Sequence, residues 1–215
     1  MPARAKVLAG RVLAGTLTNK RLQSLPARSP PGADNRPMNW ILPAAAAALL
    51  VSGCSPALNW RTVPLPEAAL TITLPCKPDQ ATRQVELAGA PVELAMVGCD
   101  ADGATFAVSH AALADPAMVG AALTHWRSAV LANLGPGAAA AAVDAPYTPK
   151  GVLPVPQSLR TTVQGQRADG TAVIAQGVWF ARAVGPQVRL YHAVVYTAKP
   201  RPEVADQFFS GLALQ

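Results

Sequence analysis

Charge is scarce in this chain, and so are the residues that carry most enzyme chemistry. Only 14% of its 215 residues are charged, and it holds three cysteines and three histidines. The formal surplus of +6 is confined to one end. Residues 1–37 hold two Lys, five Arg and one Asp, whereas residues 38–215 hold 11 basic and 11 acidic residues. A basic domain is the electrostatic footprint of nucleic-acid binding. A domain with cancelled charge lacks it, so no nucleic-acid partner is expected. His110, His125 and His192 have no i, i+3 or i, i+4 spacing, and none lies beside a cysteine or carboxylate cluster. A metal centre needs three or four converging ligands, so neither a metal nor a cofactor is expected. His125 reads as a helix-flank residue, and His110 and His192 as partly buried strand residues. There is no Gly-x-Ser-x-Gly elbow, no phosphate loop and no His-Glu-x-x-His. Gly165 and Gly170 bracket a hairpin turn without the strand-to-helix context of a phosphate loop. Asp100 and Asp102 are near neighbours, but on a turn, where Asp serves turn chemistry. No catalytic residue is assigned, and the chain is expected not to be an enzyme.

Long apolar runs are also lacking. Ile41 to Val51 gives eleven apolar residues, about 16 Å of helix, where a bilayer core needs roughly 20 residues. That is too short to span and matches the core of a signal peptide. Val51-Ser52-Gly53-Cys54 follows directly. It resembles the lipobox of bacterial lipoproteins, usually Leu-(Ala/Ser)-(Gly/Ala)-Cys, with Val in place of the leading Leu. The resemblance implies cleavage before Cys54 and diacylglycerol on its sulfur. Each buried CH₂ of an acyl chain such as palmitate contributes ~0.8 kcal/mol, so two or three chains anchor a protein stably. Ser55 is not the Asp associated with inner-membrane retention, so the outer membrane is favoured over the inner. The expected location is therefore the cell envelope, on the periplasmic face, with the membrane as partner through the lipid and a protein partner besides.

Residues 1–37 mix Arg, Pro, Ser and Gly without an apolar period. They are either a disordered basic extension or the product of a mis-called start, with Met38 the true initiator. The second reading is favoured because the signal begins almost at once after Met38, although Met38-Asn39-Trp40 supplies only the α-amino charge. The expected organisation is a signal peptide over 38–53, a proline-containing extended tether over 54–67, and one periplasmic domain over 68–215. Cleavage leaves 162 residues, an ordinary size for one domain.

Cys76 and Cys99 then remain, in a compartment that favours disulfides. Both end alternating apolar runs. If Val85–Ala88 and Val92–Val97 form a hairpin over Ala88-Gly89-Ala90-Pro91, Cys99 falls near residue 80, close in sequence to Cys76. No Cys-x-x-Cys exists and no third soft ligand sits nearby, so a metal or catalytic thiol has little support. A Cys76–Cys99 bond is expected, contributing about 3–4 kcal/mol by loop entropy.

Alternation marks strands at Leu70–Leu74, Gln84–Leu87, Val92–Val97 and Thr105–His110, which read as an antiparallel meander. Asp115-Pro116 then caps a helix with Met118, Ala122, Trp126 and Val130 on one face, closed by Gly135-Pro136-Gly137. Ala138–Pro156 reads as irregular, with a helical turn available at Ala138–Val143. Strands resume at Ser158–Gln166, Thr171–Ala183 and Val188–Tyr196, and Pro202 opens a last helix carrying Val204, Ala205, Phe208, Phe209 and Leu212. Trp126, Trp179, Phe180, Tyr191 and Phe208 read as core. The fold class is α+β: an antiparallel sheet of about seven strands flanked by two main helices, in the order β4-α-β3-α. Leu-Pro-Cys-Lys-Pro after the first strand, Thr-Phe-Ala-Val-Ser-His, the long helix, Arg-Leu-Tyr and the Phe-Phe-x-Gly-Leu helix resemble small bacterial domains of the PsbP/Mog1-like class. Those are α/β/α sandwiches of partner-binding and assembly proteins with no shared catalytic residue. Where relatives often have Gly after the first strand, this chain has Cys76.

A non-enzymatic binding or assembly module of the envelope is the leading functional expectation. A periplasmic small-molecule or lipid-binding domain, using space between sheet and helix, is the alternative. A hydrolase with a dispersed site ranks behind both. A filled core favours the first, a deep apolar pocket the second, and converging titratable groups the third.

Overall fold

The computed structural model describes residues 57–215. The expectations for residues 1–37, the signal segment 38–53 and the lipid site Cys54 fall outside the described residues. What is described is α+β and mostly antiparallel, built on two sheets. β1 (Arg61–Leu65), β2 (Leu70–Leu74) and β10 (Ala213–Leu214) form the smaller, in the order β1-β2-β10. β3 (Asp79–Leu87), β4 (Ala90–Ala101), β5 (Ala104–Leu113), β6 (Val143–Pro146), β7 (Leu159–Gln166), β8 (Ala172–Val184) and β9 (Gln187–Thr197) form the larger, in the order β3-β4-β5-β9-β8-β7-β6. The helices are α1 (Val119–Ala132), the single turn α2 (Ala138–Ala141) and α3 (Pro202–Ser210).

The first expected strand, Leu70–Leu74, exists but does not belong to the meander. It pairs with β1 from Arg61↔Leu74 to Leu65↔Leu70, and the meander proper is β3-β4-β5. The stretch read as a tether therefore contains a strand, Arg61–Leu65, and a 3-10 turn, Pro66–Ala68. Proline hid it: Pro64 and Pro66 break the ladder pattern, yet an edge strand tolerates a residue without an N–H. The irregular segment 138–156 likewise holds α2 and β6. Between β3 and β4 the connection is two residues rather than four, because Leu87 pairs with Ala90. Ala88 and Gly89 both take positive φ, 52° and 83°, the backbone that a tight right-twisted hairpin requires.

Successive residues of a strand face opposite sides of a sheet, and the core divides accordingly. Phe106, Val108, Phe180, Tyr191 and Val195 pack with Phe208 and Phe209 of α3 and with Leu70, Ile72 and Leu74 of β2. Trp179, Ala181, Leu190 and Leu94 pack with Leu123 and Trp126 of α1. A third cluster joins Leu131 and Leu134 to Val163, Val173 and Val194. Trp126, Trp179, Phe180, Tyr191 and Phe208 are all buried, as the sequence implies. Asp115 begins α1's approach as expected, its carboxylate accepting from Ala117 N–H at 2.9 Å, but the first turn, Pro116–Met118, is 3-10.

Candidate functional site

Cys76 and Cys99 are disulfide-bonded, with Cα atoms 5.9 Å apart and a sequence separation of 23. The β3-β4 ladder ends at Asp79↔Gly98, which places Cys99 one step beyond it and beside the residues that follow β2. Cys76 follows a strand of the small sheet and Cys99 lies in the large one. The bond therefore links two sheets instead of closing one edge of a single meander.

The three histidines do not converge. His125 is exposed on α1 and its Nδ1 accepts from Ala88 N–H at 2.8 Å, tying the helix to the β3-β4 turn. His110 and His192 are more deeply buried than partly buried strand residues, at 6% and 4% exposure. His192 lies flat on Trp179, ring centroids 4.3 Å apart, and meets Trp126 edge-on at 5.7 Å. Burial pushes its pKa down to about 3, so the ring is neutral. Its Nε2 and the Trp179 Nε1 have no hydrogen-bond partner. His110 belongs to the opposite face, opposite Tyr191 in the β5-β9 ladder. Among the described residues no group of three His, Cys, Asp or Glu could hold a metal ion.

The acidic pair is occupied. Asp100 Oδ1 accepts from the Thr105 hydroxyl at 2.6 Å, and it lies in β4 rather than on the turn. Asp102, on the turn, pairs with Arg201 at 2.7 Å while its carbonyl accepts a second guanidinium N–H at 2.9 Å. Hollows on the described surface include one at the Asp100–Thr105 hairpin and one between Leu134–Pro136 and Gln164–Gln166; both are open.

Positive charge gathers where the sequence drew no attention. Arg182 and Arg189 are directly opposite each other in the β8-β9 ladder, and both are half-buried. Arg182 Nη1 donates to the Ala69 carbonyl at 3.3 Å. Arg189 Nη1 lies 3.3 Å from His110 Nδ1. A guanidinium only donates, so this ring nitrogen accepts and the His110 proton sits on Nε2. Burial first, then Arg189, lowers the His110 pKa, against a smaller opposing pull from Glu67. Tyr191 donates its hydroxyl to the Ala68 carbonyl at 2.6 Å in the buried floor beside them. The signal that would have found the pair was in plain view. Gly185-Pro186 marks the turn, and counting back from Val184↔Gln187 sets residue 182 against 189.

Among the described residues no helix is long and apolar enough to cross a membrane. Compared with protein-family models, curated proteins and solved structures, the chain matches none.

Proposed function

We propose that the chain is an exported bacterial lipoprotein, cleaved before and lipidated on Cys54, and that its domain is a non-enzymatic binding or assembly module on the periplasmic face of a membrane, the outer membrane in preference to the inner. The observation that carries this is Val51-Ser52-Gly53-Cys54 directly after an eleven-residue apolar run. The Cys76–Cys99 bond suits an oxidising compartment. The Asn59 N–H bonds the Pro75 carbonyl at 2.9 Å, so four residues separate the lipid site from this tied-down backbone. The five extended Cα-to-Cα steps from Cys54 to Asn59 reach at most about 18 Å, which would hold the domain close against the bilayer.

Two main helices flanking the sheet, in the PsbP/Mog1-like arrangement, complete this reading. It is supported by the separate clusters that α1 and α3 join. The small-molecule alternative has less support, because the space beneath α1 is filled by Trp126, Trp179 and His192. The test is metabolic labelling with a fatty-acid analogue. The chain should label, and Cys54→Ala should abolish both label and cleavage. Persistent labelling of the variant would sink the proposal.

A further inference from the structure

We propose that Arg182 and Arg189, with His110 beside them, form a binding site for an oxyanion, a carboxylate or phosphate group carried by a ligand that approaches the end of the domain away from its N-terminal entry. The pair is poorly placed for stability alone. Like charges directly opposite in an antiparallel ladder repel, and here both guanidiniums are also partly removed from water. Other arginines with comparable burial have a carboxylate. Arg127 meets Asp144 at 2.8 Å, Arg160 meets Asp206 at 2.6 Å and Arg201 meets Asp102 at 2.7 Å. Among the described residues, none lies within 4.0 Å of Arg182 or Arg189. Their acceptors are neutral, a carbonyl and an imidazole nitrogen, each at 3.3 Å.

The chemistry left over is that of an anion site. Two arginine forks on one face match the oxygens of a carboxylate or phosphate, and guanidiniums bind such groups bidentately. With His110 Nδ1 engaged, the ring's free donor is Nε2–H. The Tyr191 hydroxyl is committed to Ala68 and contributes no donor. Glu67, exposed on the 3-10 turn, is the acidic group that acts on His110, and among the described residues it makes no ion pair.

Placement narrows the source of the anion. Arg182 and Arg189 flank the β8-β9 turn, whereas Asn59, Pro75 and the Cys76–Cys99 bond lie toward the Ala104↔Thr197 end of the same strands. If the chain is anchored through Cys54, and only this clause rests on that reading, the arginines face away from the membrane. The ligand is then a periplasmic one rather than a headgroup of the anchoring bilayer.

The test uses the full chain purified in neutral detergent, with inorganic phosphate as probe and chloride at matched ionic strength as reference. Phosphate should raise the thermal midpoint and chloride should not. Arg182→Gln and Arg189→Gln should each weaken phosphate binding by at least about tenfold, the loss expected for one charge-assisted contact. Each should also unfold no lower than the parent without phosphate, because the repulsion is gone. Arg83→Gln, an exposed arginine on β3, should bind phosphate like the parent. Equal phosphate binding by all three variants, or no response to phosphate, would overturn the site. Capture by phosphatidylglycerol vesicles that disappears in Arg182→Gln and Arg189→Gln would overturn the assignment to a ligand away from the membrane. Neither outcome depends on Cys54, whose lipidation is read separately by the fatty-acid label.

Discussion

His192 sits in an aromatic stack with no polar neighbour for its Nε2, and burial alone holds its pKa near 3. The unfolded chain protonates the same ring at about 6.5. Between those values the unfolded state binds the extra proton, so the native state loses stability as pH falls and keeps it fully above about pH 6.5. At pH 5 the loss is about 2 kcal/mol, and His110, shifted in the same direction, adds to it. Urea unfolding at pH 7.5 and pH 5 should show this slope, and His192→Phe should flatten it. Equal midpoints at both pH values would mean that His192 is solvated or partnered. Gly98 is constrained differently, by space. A Cβ there would come within 2.5 Å of the Phe106 carbonyl oxygen and 3.2 Å of the Ala107 backbone. Backbone cannot rotate aside as a side chain does, so Gly98→Ala should cost about 1–3 kcal/mol, the usual range for overpacking. A midpoint unchanged by that substitution would show that β4 and β5 approach less closely.

Among the elements, the disulfide is a covalent cross-link between the small and large sheets, in addition to the chain that runs between them. In the loop-entropy account it contributes about 3–4 kcal/mol. Cys76→Ser, Cys99→Ser and the double variant should therefore lose about the same stability, since each breaks the same bond. Additive losses, or a midpoint indifferent to reductant, would count against it. Cys99 could be paired from sequence because Val85-Glu86-Leu87 and Val92-Glu93-Leu94 alternate on either side of the turn, which nearly fixes register, although the buried side of β4 changes between Leu94 and Val97. The two-residue turn then moves the position opposite Cys99 two residues toward Cys76, from 80 to 78. What alternation does not encode is which strand lies beside which. Leu70, Ile72 and Leu74 are buried on one face in either sheet, so β2 was assigned to the wrong one. β6, Val-Asp-Ala-Pro, is exposed throughout and carries no period at all. It is held instead by Asp144, which pairs with Arg127 and accepts from Thr161 at 2.6 Å, a contact between residues far apart in sequence. The arginine pair was legible from a turn and a count, but only to a reader asking which charges face each other.

At the scale of the whole molecule, three features support the proposed envelope address. The chain's basic surplus is confined to residues 1–37, leaving residues 38–215 electrically balanced. A short apolar run ends in Val-Ser-Gly-Cys. The domain beyond it is stapled by a disulfide that a reducing cytoplasm would not preserve. If Cys54 carries the lipid as proposed, the four residues before Asn59 hold the domain's Asn59–Pro75 end near the membrane, with Arg182 and Arg189 at the other end. The most direct measurement is the intact mass of the protein extracted from bacterial membranes. The expected species begins at Cys54, carries diacylglycerol and an additional acyl chain, and has Cys76 and Cys99 oxidised. A species that retains residues before Cys54, or one that begins at Cys54 without lipid, would contradict the assignment.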